Sequence, residues 1–243
     1  MDVKELKAAF VNGSDFDLRR VISQAYTDMQ PRTIAKHSRA VRKKCEEYLY
    51  EELERLLGDG VIHDFEQTHD SLCSGFLAVL NDPENGIACQ QYGKAQKVVN
   101  IIFKFLSAYG KCEGYEKDCH LPVDSLVLKW LCGKETYNGT SWSNLTKEQY
   151  DGIRVKIADK IKSDGGVKLL DRVYPVENVL EADFFIWYSM KLKASWKAAN
   201  NSTVALRDSL CDDHSCVISK DEARKLLRTV EELADKLKAN FAI

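Results

Sequence analysis

Two ionisable residues in the middle of the chain stand where two helices are predicted to begin. Lys97 lies near the start of a long apolar pattern, and Asp124 directly precedes another, in the position of a helix N-cap. A lysine amine can act as a nucleophile, and a carboxylate beside it can accept its proton or stabilise positive charge on a substrate. We therefore take Lys97 and Asp124 as candidate catalytic residues, which requires that the two helix starts share one pocket.

The same two residues also have a purely structural interpretation. The apolar residues that follow Lys97 recur at helical spacing, and Lys97, Asn100 and Lys104 fall on the opposite, polar stripe of that helix. In this interpretation Lys97 lies on the solvent-exposed face, and Asp124 only caps its helix. Residue types and spacing alone leave both interpretations open.

The elements that must position these residues are predicted to be helices. Alternating strand patterns are nearly absent, and the chain contains only 4 Pro and 13 Gly, so we predict an all-α protein. Thr146 with Gln149 and Ser219 with Glu222 form the sequence pattern of a capping box. The predicted helices are 2–11, 15–29, 32–57, 69–81, 94–109, 125–132, 146–162 and 181–196, with a final amphipathic helix after Ser219.

The predicted helices suggest three parts. We expect residues 1–60 to supply N-terminal helices that pack with the C-terminal part, residues 61–135 to form a core that holds both candidate residues, and residues 146–243 to form a C-terminal helical subdomain. The polar segment 133–145 is predicted to be a linker or an exposed loop. The aromatic-rich segment 181–196 is predicted to be core, although one of its rings at a pocket edge would be able to stack on a base.

Charge is distributed unevenly along the chain, although the net charge is only -2. Nucleic-acid binding would therefore need a local basic patch. The first half of the predicted helix 32–57 carries six cations and no acid, and its second half is acidic. The cations would either contact phosphates or form a solvated face, in which they pair with acids four residues later in the chain, for example Lys43 with Glu47. The six cations are Arg32, Lys36, Arg39, Arg42, Lys43 and Lys44.

Compartment and metal chemistry are the remaining questions that the composition addresses. No signal-peptide core or membrane-length apolar run is present, and the eight cysteines are scattered without a C-x-x-C pair. We expect reduced thiols in a monomeric cytoplasmic protein, while disulfides between Cys112 and Cys119 or between Cys211 and Cys216 stay open. Cys211, His214 and Cys216 are one ligand short of a structural zinc site, so we expect neither a metal nor a cofactor.

The central stretch contains Gly93-Lys94-Ala95-Gln96-Lys97-Val98-Val99-Asn100, followed by Pro122-Val123-Asp124-Ser125-Leu126-Val127-Leu128-Lys129. With these residues it resembles the helix-hairpin-helix DNA glycosylase superfamily over about a quarter of the chain. Lys97 falls where bifunctional members carry their nucleophile, and Asp124 falls where nearly all carry their catalytic carboxylate. Lys129 stands where an arginine is usual, and the helix predicted at 69–81 would be the first helix of the hairpin.

The chain departs from the pattern of the superfamily in several places. Ala95 replaces the second hairpin glycine, the Lys97–Asp124 spacing requires an insertion at 111–121, and Ser125-Leu126 stands where Thr-His is frequent. The four-cysteine iron–sulfur pattern of some members is missing. These departures indicate a distant branch, similar to the alpha-glutamyl/putrescinyl thymine pyrophosphorylase-like proteins that are linked with hypermodified thymine in phage DNA.

The resemblance implies a two-subdomain helical fold with a cleft between the subdomains, and an enzyme whose partner is DNA. Such an enzyme flips a damaged or modified base and cleaves its glycosidic bond, with lyase activity in bifunctional members. The alternative is a non-catalytic helical protein that binds nucleic acid or takes part in host defence through protein contacts. The implied DNA-binding residues are Gly93, Lys94, Gln96, Asn100 and Lys129, with Arg39, Lys43 and Lys44 as further candidates.

Overall fold

A computed structural model describes residues 2–29, 39–59, 62–169 and 172–189, together with Lys225 and Arg228. The described chain is mostly helical, which confirms the all-α prediction at that level. The helices are α1 (Val3–Val11), α2 (Leu18–Asp28), α3 (Arg39–Asp59), α4 (Phe65–Leu80), α5 (Tyr92–Ala108), α6 (Ser125–Cys132), α7 (Lys147–Asp164) and α8 (residues 179–189). Short strands form two pairs. β1 (Thr136–Tyr137) pairs antiparallel with β2 (Thr140–Ser141), and β3 (Val167–Leu169) pairs with β4 (Arg172–Tyr174).

The chain divides into two compact units. The first comprises residues 1–167 and 174–186, and the second comprises 168–173 and 187–243. Our division of the chain near residue 60 and at 135–146 stays a prediction. Both candidate catalytic residues lie in the first unit.

Helix α5 is the centre of the first unit. It contacts α1, α2, α4, α7 and the 3-10 turn Trp142–Asn144, and it is buried along most of its length. Its apolar side chains fill the core as the sequence pattern indicates. Because neighbouring elements cover its other side as well, the polar residues of α5 must find partners inside the protein.

Several helices begin at the residues that local capping signals indicate. Asp124 is the N-cap of α6, and Thr146 with Gln149 forms the predicted capping box at the start of α7. Helix α4 begins four residues earlier than predicted. The Asp64 side chain accepts a hydrogen bond from the Gln67 backbone N–H group and so caps the helix at this point.

The segment 133–145 differs from the predicted open loop. It forms the β1–β2 hairpin followed by the 3-10 turn, and it buries Trp142 and Leu145. In the aromatic segment, Phe184 and Phe185 are buried, as predicted for core residues. Cys112 and Cys119 are buried free thiols, so the disulfide between them does not form.

Some predictions concern residues outside the described part of the chain. These are residues 32–38 of the predicted third helix, the Ser219–Glu222 capping box, and the segment with Cys211, His214 and Cys216. Of the final predicted helix, only Lys225 and Arg228 are described, and both are helical. No helix among the described residues combines the length and the apolar composition that crossing a membrane requires.

Candidate active site

Lys97 and Asp124 lie against each other, with the Lys97 Nζ atom 3.4 Å from Asp124 Oδ2. The Lys97 side chain is only 5 % exposed, whereas that of Asp124 is 21 % exposed. This corrects the structural interpretation in which Lys97 lies in solvent: the polar stripe of α5 is buried, because other elements cover it. Lys97 lies in the second turn of α5 and not at its start, whereas Asp124 is the N-cap of α6 and forms the accessible edge of the site.

The two oxygens of Asp124 have different partners. Oδ1 accepts hydrogen bonds from the backbone N–H groups of Leu126, at 2.9 Å, and Val127, at 3.1 Å, and Oδ2 faces Lys97. The first two bonds fix the carboxylate at the start of α6, where the helix dipole stabilises a negative charge. The capping function therefore leaves the second oxygen directed at the lysine amine.

Trp142 covers the lysine side of the site. The Lys97 Nζ atom lies 4.3 Å from the centre of the indole ring, which is a favourable cation–π distance. Sequence reasoning missed Trp142, since it stands in a turn-rich polar segment without periodicity. The one available signal was its type, because an isolated tryptophan among turn residues must bury its ring against a neighbouring element.

Gly93 allows the turn with Trp142 to lie directly on α5. The Gly93 N–H group donates a 2.9 Å hydrogen bond to the Leu145 carbonyl. A Cβ atom at position 93 would lie 1.9 Å from the Trp142 carbonyl oxygen, so only glycine fits at this distance. The Gly93 amide is thus bonded to the turn that carries Trp142, and its contact with DNA stays a prediction.

Lys94 forms a second part of the site wall. Its Nζ atom lies 5.8 Å from the Trp142 ring centre, and the side chain is buried. Burial, together with the positive charge of Lys97, lowers the pKa of Lys94 to about 8. The structure places this amine in the interior of the site, and its role in DNA binding stays a prediction.

Gln96 and Asn100 are also committed to the interior. Both are fully buried, and the Gln96 side chain bonds to the backbone of Val123 while the Asn100 amide donates to the Tyr150 hydroxyl at 2.9 Å. Their predicted roles as DNA contacts stay untested, and the structure places both side chains in the interior. Their hydrogen bonds instead join α5 to α7 and to the segment that carries Asp124.

A series of hydrogen bonds attaches the segment that carries Asp124 to α4 and α7. The Nδ1 atom of His120 lies 3.0 Å from the Tyr150 hydroxyl, and its Nε2 atom lies 3.0 Å from Glu66 Oε1. An ionised carboxylate can only accept, so Nε2 carries the proton and Nδ1 accepts from Tyr150. Arg154 binds the same carboxylate with its two terminal guanidinium nitrogens. Burial lowers the pKa of His120 to about 3, helped by the charges of His69 and Arg154.

The remaining predicted DNA contacts lie at the surface. Arg39 and Lys43 are exposed on α3. Lys44 lies 3.8 Å from Asp82 in the connection between α4 and α5, and Lys129 lies 3.5 Å from Glu135. Their role in DNA binding stays a prediction.

Helix α5 carries a second buried ion pair two turns after the first. Lys104 donates a hydrogen bond to Asp183, and its Nζ atom lies 4.7 Å from the ring centres of Phe10 and Phe184. Burial raises the pKa of Asp183, although the neighbouring Lys104 acts in the opposite direction. The sequence pattern did not identify Asp183 either, because it stands within an aromatic segment that we predicted to be core.

One cavity of the described residues lies apart from the Lys97–Asp124 pair. A cavity of about 320 Å³ contains neither Lys97 nor Asp124, and its lining includes three carboxylates that would repel phosphate. The lining residues are Gly114, Glu116, Lys117, Glu177, Asn178 and Glu181. In the part of the chain that the structure describes, no three His, Cys, Asp or Glu residues are grouped as metal ligands would be.

Comparison of the chain with protein-family models, with curated proteins and with solved structures gives no match.

Proposed function

We propose that this protein is a DNA N-glycosylase-like enzyme that flips a damaged or modified base and cleaves its glycosidic bond. The observation that carries the proposal is the buried Lys97 amine beside the N-cap carboxylate of Asp124. These residues occupy the positions that the resemblance assigns to the nucleophile and the catalytic carboxylate.

The pair supplies the groups that cleavage of the bond requires. Asp124 accepts a proton from Lys97, and the neutral amine then attacks the sugar C1′ atom. The C1′–N bond breaks, its electron pair leaves with the base, and the base nitrogen takes up the proton that Asp124 holds. Asp124 is then ionised again, and its charge stabilises the positive charge that the attached amine nitrogen carries. In the lyase reaction, the resulting imine between Lys97 and the opened sugar allows elimination of the 3′ phosphate.

The exposure of the two side chains favours an approach from one direction. Lys97 and Trp142 are buried, whereas Asp124 is partly accessible at the start of α6. A flipped nucleotide therefore enters beside Asp124, with its sugar toward the lysine. Flipping costs a few kcal/mol, and it costs least for a base whose pairing or stacking is already weakened.

The proposed fold is a variant of the helix-hairpin-helix arrangement. Helix α4, the connection at 81–91 and α5 correspond to the hairpin, and α6 begins at the catalytic carboxylate. The Lys44–Asp82 ion pair connects the basic half of α3 to this connection. Arg39, Lys43, Lys44 and Lys129 are the proposed phosphate contacts, because their side chains reach solvent.

Borohydride trapping tests the proposal directly. The protein is incubated with DNA that contains damaged or modified bases, including phage DNA, and reduced. We expect a covalent adduct that Lys97→Gln abolishes and that Asp124→Asn lowers strongly. Lys4→Gln is the control, because Lys4 is an exposed lysine of α1, a helix that contributes no residue to the site.

Two results would overturn the proposal. One is an adduct that persists in Lys97→Gln, and the other is the absence of both an adduct and an abasic product on every substrate. Salt-dependent DNA binding that Asp124→Asn leaves unchanged, together with no product, would instead identify a non-catalytic nucleic-acid-binding protein.

A further inference from the structure

The side chain of Gln96 joins α5 to the segment that carries Asp124. Its Nε2 atom donates to the Val123 carbonyl at 2.7 Å, and its Oε1 atom accepts from the Val123 N–H group at 3.0 Å. The two bonds reproduce the pairing that two backbone segments form in a sheet. One side chain thus fixes both polar groups of one backbone residue.

The remaining hydrogen-bonding capacity of Gln96 is also used. Nε2 donates to the Gly93 carbonyl at 2.8 Å, and Oε1 accepts from Asn100 Nδ2 at 3.2 Å. A primary amide has two donor hydrogens and two acceptor lone pairs, so all four are occupied. Because the residue is fully buried, a different orientation would leave polar atoms without partners, which makes this one strongly preferred.

Its position in the chain relates this amide to the site. Gln96 directly precedes Lys97, and its partner Val123 directly precedes Asp124. The separation of Lys97 Nζ and Asp124 Oδ2 therefore depends on a backbone junction that lies one residue away on each side. Gln96 and Val123 are 27 positions apart, and the chain between them includes the irregular connection 111–122, which has little regular structure to maintain that separation.

We propose that Gln96 is a positioning residue that sets the distance between Lys97 and Asp124. It acts through the Val123 backbone and does not touch the substrate. The kinetic consequence rests on the proposed function, whereas the structural consequence does not. A displacement of about 1 Å in a catalytic group can lower a rate by about 100-fold.

Hydrogen exchange and kinetics of Gln96→Met test this inference. Methionine has a similar length and retains the apolar packing, but it provides neither an amide donor nor a strong acceptor. We expect exchange of the Val123 N–H group to accelerate by about tenfold or more, because its acceptor is removed. We also expect kcat to fall about 100-fold while KM changes less than about threefold, since the loss concerns positioning.

Ser107→Ala is the matched control. Ser107 is a buried residue of the same helix whose hydroxyl donates to Glu116, away from the site. This variant should leave both Val123 exchange and kcat unchanged. If Gln96→Met does not fold, the wild-type protein still provides a test: the Val123 N–H and the Gln96 side-chain N–H groups should exchange through the same opening reaction.

The possible outcomes separate this inference from the proposed function. Unchanged protection of Val123 in Gln96→Met, or independent opening of the two groups in the wild type, would overturn the positioning role. Unchanged kcat in an active protein would do the same. Accelerated Val123 exchange in a protein that excises no base would support the junction and contradict only the proposed function.

Discussion

Helix α5 carries two buried lysine–aspartate pairs that differ in how they meet solvent. The side chains of Lys104 and Asp183 are only 3 % and 7 % exposed, whereas Asp124, the partner of Lys97, is 21 % exposed. Two phenylalanine rings enclose the Lys104 amine, and one tryptophan ring lies against that of Lys97. The first pair is closed on all sides, and the second has an open carboxylate edge.

The difference separates a structural role from a chemical one. A closed ion pair holds two elements together, and removal of either partner leaves an uncompensated buried charge. In the open pair the carboxylate is already held by two backbone N–H groups, so Lys97 can exchange its partner for a substrate atom. We therefore propose a structural role for the pair Lys104–Asp183 and a chemical role for the pair Lys97–Asp124.

The largest stability effect is expected from removal of the closed pair's lysine. Lys104→Met leaves the Asp183 charge buried, which should lower the free energy of unfolding by about 3–5 kcal/mol. Lys97→Met should cost about 1–2 kcal/mol, because Asp124 keeps its backbone hydrogen bonds and some contact with water. Urea denaturation of both variants measures the difference, and equal costs would contradict the distinction between the two pairs.

A smaller effect is expected from the glycine that admits the tryptophan turn. Gly93→Ala places a Cβ atom against the Trp142 carbonyl, which should cost about 2–3 kcal/mol and displace the indole from Lys97. Gly152→Ala is the control, since nothing lies within 4 Å of its added Cβ and alanine favours a helix by about 1 kcal/mol. Thermal unfolding and tryptophan fluorescence report both changes. A stable Gly93→Ala protein with wild-type fluorescence would refute the close approach.

Lowering the pH from 6.5 to 5 should lower the free energy of unfolding by about 2 kcal/mol through His120, which lies in the segment that carries Asp124. The pKa of His120 is lowered in the folded protein to about 3, so this histidine stabilises the fold above its unfolded pKa of about 6.5. As the pH falls below 6.5, the unfolded state binds a proton that the folded state does not, and stability is lost at about 1.4 kcal/mol per pH unit.

The histidine contribution is measured by comparing unfolding free energies of variants at both pH values. His120→Gln should reduce this loss, while the exposed His63→Gln should retain the wild-type dependence. His69, whose pKa burial also lowers, adds to the wild-type slope and remains in both variants. Equal slopes in the two variants would show that His120 does not support the segment with Asp124.

Local signals identified the elements of the fold and one half of the site. Asp124 was predictable as an N-cap because a capping residue, a preceding proline and the following apolar run are adjacent in the chain. The same holds for the Thr146 capping box. Asp64 was missed as the start of α4, since other polar residues follow it before the apolar pattern becomes regular.

The burial of the polar stripe of α5 was not predictable from its own sequence. The helix is amphipathic by pattern, and the partners that cover its polar side come from distant parts of the chain. Val123 is 27 residues from Gln96, Tyr150 is 50 from Asn100, and Asp183 is 79 from Lys104. Only tertiary contacts convert a helix face that resembles a solvated one into a buried row of paired charges and amides.

The most direct measurement compares Asp124→Asn with Asp183→Asn for both base excision and stability. Asparagine caps a helix as well as aspartate does but leaves Lys97 without its ion-pair partner, so Asp124→Asn should lower the unfolding free energy by about 1–2 kcal/mol. Its single-turnover excision rate should nevertheless fall at least about 1000-fold, or about 4 kcal/mol in barrier height. Asp183→Asn should lose about 3 kcal/mol of stability, while its folded fraction excises within about threefold of the wild-type rate. A rate that follows stability equally in both variants would contradict the assignment of Lys97 and Asp124 as the reactive pair.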